Sequence, residues 1–162
     1  MTTSTVGPVK DDVHKLVKPK EIIISAAVAD TAALFATVEI AGASCELLVD
    51  TGASVSVINT PLFRLPLEVR GSLEPVKIGL RSVNGDPVRA VGMIDVEVGL
   101  ANSRCRVDLV VADIGVSGIL GIDIMSKLKC AVNISARELV VDRDILVLNS
   151  LTTSGTRSVY SA

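Results

Sequence analysis

Hydrophobic and polar residues alternate through much of the chain with the two-residue period that is typical of half-buried β-strands. Short stretches rich in Gly, Asn and other small residues separate these segments, so neighbouring strands are predicted to pair as hairpins. Four hairpins are predicted, with turns at 41–42, 84–85, 99–103 and 135–137. The second has the longest arms, 75–83 and 87–98, and its Asn84-Gly85 pair suits a tight turn with positive φ at both central positions. A last apolar strand is predicted at 144–148.

Helical signals are few. The segment 59–61, Asn-Thr-Pro, is typical of a helix start, but Pro66 limits that helix to about one turn. Apolar residues at helical spacing predict a second helix at 124–129, with Asp123 as its N-terminal cap. The apolar stretch 22–35 fits either a strand or a short buried helix, because its periodicity does not distinguish the two.

Both ends of the chain lack an apolar period. Residues 1–20 are rich in Ser, Thr, Gly, Pro and Lys and are predicted to form a flexible N-terminal arm. Residues 149–162 are predicted to form a flexible C-terminal tail. The segment 21–148 is predicted to be a single domain, since 162 residues suit one domain with a substantial core. His14, the one histidine, lies in the arm without a second ligand or nucleophile nearby, so no role is assigned to it.

Composition supports a sheet-based core. The chain is 49% hydrophobic but only 2% aromatic, so its core must be built from Val, Ile, Leu and Ala, and β-branched residues at this density favour β-sheet. The net charge of -2, with both signs scattered, gives no basic surface for nucleic acid. No apolar run is long enough to span a membrane. We therefore expect neither nucleic acid nor membrane as a direct partner.

The three cysteines, Cys45, Cys105 and Cys130, are an odd number and lack the spacing of a metal site. They are interpreted as buried free thiols in a reducing compartment, which predicts a cytoplasmic location. Neither a metal nor another cofactor is expected.

The candidate chemistry lies where the apolar strand at 47–49 ends at Asp50. Small residues follow at 51–53, and the strand pattern resumes at 55–58. Gly52 is expected to allow a backbone turn that no side chain would tolerate. A carboxylate between two apolar strands costs free energy unless something pairs with it or uses it. An Asp that caps its own turn is the alternative interpretation.

The segment Asp-Thr-Gly-Ala-Ser at 50–54, between Leu-Leu-Val and Val-Ser-Val-Ile, resembles the catalytic loop of the aspartic proteases. A second motif at 117–125, Ser-Gly-Ile-Leu-Gly-Ile-Asp-Ile-Met, resembles the family's other signature, an apolar strand that ends in Ile-Leu-Gly and runs into a short helix. Only one Asp-Thr-Gly triplet occurs, so the chain looks like a retropepsin, the branch in which two identical chains each supply one Asp. The resemblance covers roughly 36–148. It implies an all-β, closed β-barrel-like fold with one short helix near the C-terminal end, acting as a homodimer.

The resemblance also implies residue roles. Asp50 would be the catalytic carboxylate, Thr51 would hold the two loops together across the dimer, and Gly52 would accept hydrogen bonds from the substrate backbone. The hairpin that turns at 84–85 would be the flap that closes over a bound peptide. The strand at 144–148 is expected to contribute to the dimer interface. The substrate-binding residues implied are Ala53, Ser54, Val83, Asn84, Gly85, Val116, Ser117 and Ile119.

The chain departs from the retroviral pattern at two positions together. Many retroviral enzymes have an acidic residue where Ser54 stands and an arginine where Ile122 stands, and these form an ion pair near the dimer interface. Losing both partners of such a pair is less damaging than losing one. The flap also lacks the Gly-rich tip of many retroviral enzymes. The paired absence looks more like the retrotransposon or cellular retropepsin-like type.

These features together predict a homodimeric aspartic endopeptidase that processes a retroelement polyprotein in the cytoplasm or within virus-like particles. One alternative is a retropepsin-like fold that serves as a dimerisation or peptide-binding module, with catalysis absent or switched off by the tails. Another is a different small β enzyme that shares only the Asp-Thr-Gly triplet.

Overall fold

The computed structural model describes residues 21–24, 33–59, 73–76, 79–82 and 84–151. Within these ranges the chain forms thirteen strands and one helix, which confirms the prediction of an all-β fold with a short helix near the C-terminal end. The elements are β1 (Glu21–Ile24), β2 (Ala33–Ile40), β3 (Ala43–Val49), β4 (Val57–Asn59), β5 (Gly79–Ser82), β6 (Pro87–Val88), β7 (Ala90–Leu100), β8 (Ser103–Ala112), β9 (Gly118–Leu120), α1 (Ile122–Lys127), β10 (Cys130–Asn133), β11 (Glu138–Val141), β12 (Asp144–Val147) and β13 (Asn149–Leu151).

The largest sheet closes on itself. Its seven strands have the order β13-β2-β3-β9-β4-β8-β7, and β2 pairs in addition with β7. This last pairing, Glu39 opposite Gly99 and Ile40 opposite Val98, joins the two ends of a six-stranded ring. A closed ring leaves no unpaired edge between its strands. The predicted barrel-like architecture is therefore confirmed.

The barrel is filled by aliphatic side chains, as the composition predicted. Alternate residues of β7 and β8 point inward, and the inward residues are buried while most of their neighbours are exposed. Burying each such side chain stabilises the fold by about 1.5–3 kcal/mol. The largest fully buried members of this core are Ile40, Leu47, Ile58, Ile94, Leu100, Leu109, Leu120, Ile124 and Leu139.

Two small sheets accompany the barrel. The first has the order β1-β5-β6 and contains the flap, and the second has the order β10-β11-β12 and follows α1. All four predicted hairpins are present, at β2–β3, β5–β6, β7–β8 and β10–β11. The stretch 22–35 contains strand at both of its described ends, β1 and the start of β2.

Turn geometry differs from expectation at the flap. Ala41 and Gly42 of the first hairpin both have positive φ, 48° and 80°, whereas among the described residues of the flap turn, 84–86, only Gly85 does, with φ 84°. The reason is loop length: the flap turn has four residues between β5 and β6 rather than two, so Asn84 keeps an ordinary backbone conformation. The prediction of positive φ at Asn84 was wrong.

Three predicted boundaries also need correction. The flap arms are shorter than predicted, since β5 begins at Gly79 and the second arm divides into β6 and β7, of which β7 pairs with β8. The helix spans Ile122–Lys127 rather than 124–129. The predicted tail begins with β13, which pairs with β2, so the largest sheet extends beyond residue 148. Three predicted features lie outside the described residues. They are the turn of helix after residue 59, the N-terminal arm at 1–20 and the part of the C-terminal tail at 152–162.

Candidate active site

The Asp50 loop lies at the end of β3, a strand that runs through the barrel wall between β2 and β9. Its backbone is held by the strand that ends in Ile-Leu-Gly. The Asp50 N–H donates to the Leu120 carbonyl at 3.1 Å, and the Ile122 N–H donates to the Ala53 carbonyl at 2.9 Å. Within the loop, the Ala53 N–H donates to the Asp50 carbonyl at 3.2 Å. The two sequence motifs are therefore one structural unit.

The two oxygens of the Asp50 carboxylate have different surroundings. Oδ1 accepts a hydrogen bond from the Gly52 N–H at 2.8 Å. Oδ2 is buried and has no hydrogen-bond partner among the described residues. A buried polar atom without a partner costs about 1–3 kcal/mol. The structure thus presents one carboxylate oxygen for which the described part of the chain supplies no donor.

Gly52 is required for space rather than for backbone conformation, which corrects the sequence expectation. Among the described glycines only Gly42 and Gly85 have φ in the left-handed region. A Cβ at position 52 would lie 3.1 Å from Asp50 Oδ1, closer than ordinary van der Waals contact. Glycine therefore lets the N–H of residue 52 approach the carboxylate.

A buried hydrogen-bond network, which we call the Ser56–Asp123 clamp, fixes the loop to α1. Asp123 accepts from the Ser56 N–H at 3.0 Å and from the Ser56 hydroxyl at 2.6 Å. The Ser56 hydroxyl oxygen in turn accepts from the Gly121 N–H at 2.8 Å. Ser56 is fully buried, so each of these polar groups depends on the others for its hydrogen bonds.

The clamp revises the predicted role of Asp123. The N-terminal cap of α1 is Gly121, which makes no side-chain cap hydrogen bond, and Asp123 lies inside the first turn. Its carboxylate also accepts from the Ile124 N–H at 2.8 Å. Sequence reasoning missed Ser56 altogether, because a single Ser in a run of Val and Ile has no periodic signal of its own.

Glycines allow the second motif to pack directly on the loop. A Cβ at Gly121 would lie 2.7 Å from the Val55 carbonyl and 2.9 Å from the Ala53 oxygen. A Cβ at Gly118 would lie 2.7 Å from the Val57 oxygen. Gly118 is buried in β9 between β3 and β4, where the lack of a side chain permits close packing.

The predicted site residues are partly brought together. Thr51, Gly52 and Ser54 are exposed around Asp50, and Asn84 and Gly85 are exposed at the flap turn. Val116 and Ser117 are half-buried, while Ala53 and Ile119 are fully buried. Val83 lies outside the described residues.

Ala53 and Ile119 do not line an open groove, contrary to expectation. Both belong to an apolar cluster that also contains Leu80 of β5, and Val88 of β6 and Val116 pack against it. The flap strands thus contact the same cluster as the Asp50 loop. Ser117 serves mainly as a structural tie, since its hydroxyl donates to the Glu46 carbonyl and its own carbonyl accepts from the Asn59 N–H.

The cysteines are free thiols, as predicted, but they are half-buried rather than fully buried. Burial raises the pKa of Cys45 to about 12 and that of Cys130 to about 11, and it also raises the pKa of Cys105. Among the described residues no cluster of three or more His, Cys, Asp or Glu side chains could hold a metal ion.

A closed all-β barrel with one Asp-bearing loop, a flap and a short helix behind the loop defines the retropepsin-like fold. The family model described as aspartyl protease matches residues 36–124, more than half of the chain, and the chain belongs to that family. The structure is similar to the crystal structure of the retroviral protease-like domain of Ddi1 from Leishmania major, with a TM-score of 0.59 and 19% identity. The match covers 74% of this chain and 95% of that one, and at this identity it establishes the fold alone.

No curated protein is significantly similar to this chain in sequence. In the part of the chain that the structure describes, no helix is both long and apolar enough to cross a membrane.

Proposed function

We propose that this protein is a homodimeric aspartic endopeptidase in which the Asp50 side chains of two copies form one catalytic pair. The observation that supports this most directly is the Asp50 carboxylate itself. Its Oδ1 is fixed by the Gly52 N–H, and its buried Oδ2 has no partner among the described residues. A second carboxylate sharing a proton, together with a water molecule, would supply the missing hydrogen bonds.

Two carboxylates about 3 Å apart cannot both ionise, because like charges repel strongly at that distance. One therefore holds a proton and the other does not, and the pair titrates as a unit. Peptide hydrolysis without a metal or a covalent intermediate needs a base to activate water and an acid to protonate the departing amine. A shared pair supplies both. The chain provides one such Asp, so a two-fold axis must provide the second.

In the proposed reaction the ionised Asp50 takes a proton from the bound water, whose oxygen bonds to the carbonyl carbon of the peptide. The partner subunit's Asp50, which is protonated, donates to the carbonyl oxygen as negative charge develops there. The C–N bond then breaks as the Asp50 that took the water proton passes it to the amide nitrogen, which leaves as an amine, while a hydroxyl group of the tetrahedral intermediate returns its proton to the partner subunit's Asp50. The other product is a carboxylic acid, and the pair is left ready for the next water.

The outer face of the sheet β10-β11-β12 supports the proposal of a second copy. Ile145 and Val147 on β12 are 63% and 68% exposed, whereas Leu139 and Val141 on β11, which point inward, are fully buried. The same face includes Val140, which lies directly opposite Ile145. An unpaired apolar face on an edge strand is what a protein interface would cover.

This face lies close to the Asp50 loop. Asn149, two residues beyond Val147, pairs with Phe35, which in turn pairs with Leu48, two residues before Asp50. Two strand spacings of about 4.8 Å separate Asn149 from Leu48. Ile122, which is 45% exposed, adjoins the loop through its N–H bond to Ala53. A copy docked on these residues would bring its own Asp50 loop towards the first.

The sequence resemblance supports the finer proposal that the substrate is a retroelement polyprotein and that the enzyme works in the cytoplasm or within virus-like particles. A peptide library incubated with the purified protein at several pH values would test the activity. We expect cleavage that pepstatin blocks and EDTA does not affect. Cleavage that resists pepstatin and requires an added metal would contradict the proposed chemistry.

A further inference from the structure

The flap has a third strand that does not belong to its hairpin. Strand β1, Glu21–Ile24, pairs in parallel with β5, so that β5 becomes the central strand of the sheet β1-β5-β6. The register places Glu21 opposite Gly79 and Ile24 opposite Ser82, and β1 therefore runs towards the flap turn. The backbone edge of β5 that faces away from β6 is occupied by the chain's own N-terminal segment.

We propose that this edge of β5 is a strand-addition site for extended peptides and that β1 is its resident, displaceable occupant. The inference rests on the proposed function, because it identifies where an extended substrate would compete. Peptides that add a strand to a sheet edge gain affinity from backbone hydrogen bonds. Such a peptide and β1 cannot both use the same N–H and C=O groups of β5.

The direction in which β1 runs along β5 is one that a bound peptide would also have. An extended peptide that crosses a two-fold axis runs parallel to β5 of one subunit and antiparallel to β5 of the other, since the axis reverses one flap relative to the other. The parallel pairing of β1 with β5 is one of these two arrangements. The flap turn beyond it is braced, because the Gly85 N–H donates to the Ser82 carbonyl and the Ser82 N–H donates to the Asp86 carbonyl, both at 2.9 Å.

The composition of β1 and its short connection to β2 also support the inference. The segment 22–24 is three consecutive isoleucines, which have high β-propensity, and Ala, Ala and Val follow at 26–28. Only residues 25–32 connect β1 to β2, a link that spans at most about 30 Å when extended. A strand tethered by so short a link has an effective concentration of order mM, so even weak pairing would exclude a dilute peptide.

Two full-chain variants test the inference from opposite sides. In the first, Ile22→Pro and Ile23→Pro together remove two consecutive N–H donors. A parallel ladder uses alternate residues, so one of the two prolines interrupts it whichever residues are bonded. Ile22→Val with Ile23→Val is the matched control, because valine keeps both the donors and the β-propensity.

In the second variant, Glu21→Cys and Gly79→Cys would lock β1 onto β5 by a disulfide. Paired residues of neighbouring strands lie within the Cα separation that a disulfide requires, and a Cβ at the exposed Gly79 meets nothing within 4 Å. Gly79→Cys alone is the control. Neither position belongs to the catalytic loop.

The probe is a fluorescent synthetic peptide with the sequence of residues 18–27, and the measurement is its binding to each folded variant by anisotropy. We expect the proline variant to bind it about tenfold or more tightly than the valine control, because the tethered competitor is gone. The oxidised locked variant should bind less than its reduced form. Equal binding by the proline and valine variants, or binding that oxidation leaves unchanged, would overturn the inference.

Peptide hydrolysis by the same variants separates this inference from the proposed function. If probe binding follows the expected order but no variant cleaves any peptide, the strand-addition site stands and the proposed peptidase fails. If all variants cleave peptides equally, locked or released, the peptidase stands and the competition by β1 is refuted.

Discussion

The Asp50 loop and the flap cover the same apolar cluster but are held in very different ways. The loop is fixed by two backbone hydrogen bonds to the 120–122 segment and by the buried Ser56–Asp123 clamp. The flap hairpin consists of two short strands and an exposed turn. The hydrogen bonds that brace this turn stay within the hairpin, and β5 pairs in addition with β1. A catalytic carboxylate needs a fixed position, whereas a cover must yield to admit a peptide. Under the proposed function, the fixed loop would meet the first requirement and the flap the second.

Removing the charge of Asp50 should have the largest effect of any single change in the loop. Asp50→Asn keeps an acceptor for the Gly52 N–H, so we expect the fold to persist. Catalysis should fall by about 10³-fold or more, because the pair loses its proton acceptor. Peptide cleavage assays and circular dichroism on the same sample check both halves. Near-wild-type turnover by the Asn variant would remove Asp50 from the mechanism.

Adding one methyl group beside the carboxylate should have the next largest effect. Gly52→Ala would place a Cβ 3.1 Å from Asp50 Oδ1 and displace the carboxylate or the loop. A misplacement of this kind can cost about 10²-fold in rate. Gly79→Ala is the matched control, because a Cβ there is unobstructed. If kcat is the same for both variants, the Asp50 loop accommodates the added methyl group and is not the rigid element described above.

The Ser56–Asp123 clamp should contribute to stability rather than to chemistry. Ser56→Ala leaves the Gly121 N–H without its acceptor and Asp123 without a hydroxyl donor, which should destabilise the protein by about 1–3 kcal/mol. Ser54→Ala, at an exposed position in the same loop, should cost less than about 0.5 kcal/mol. Urea unfolding of the two variants provides the measurement. Equal midpoints would show that the clamp does not hold the loop.

The smallest effect is expected at the flap turn. Gly85 has φ 84°, so Gly85→Ala should strain the turn by about 1–2 kcal/mol. Because the turn is exposed, we expect this strain to lower the unfolding midpoint by a correspondingly small amount and to raise KM, with kcat changed little. Steady-state kinetics and urea unfolding separate these quantities. A large fall in kcat would mean that the flap turn takes part in positioning the reacting groups.

The sequence predicted those features that depend on local pattern. Hairpins, the Asp50 loop and the short helix follow from periodicity, turn residues and the two motifs. The Ser56–Asp123 clamp was not predicted, because its partners are 67 residues apart and each has an ordinary local explanation. The burial of Ala53 and Ile119 was missed for a similar reason, since it depends on how the flap strands pack against them.

The pairing of β13 with β2 is another feature that the local sequence pattern does not predict. The sequence pattern predicts that Asn149–Leu151 begins a polar tail. In the structure these residues pair with β2, because β2 otherwise has an open edge at Ala33–Phe35. Backbone pairing does not require an apolar pattern, so sequence periodicity carries no signal for it.

The central claim, that two copies share one catalytic pair, is tested most directly by mixing subunits. A constant amount of wild-type protein is equilibrated with increasing amounts of Asp50→Asn before peptide cleavage is measured. Mixed dimers would have a single carboxylate, so activity should fall to about half at an equal amount of the variant and continue towards zero. Asp50→Asn that also carries Val147→Lys, a charge on the proposed interface, is the control and should suppress much less. Activity that stays constant throughout the titration with Asp50→Asn would contradict a shared site.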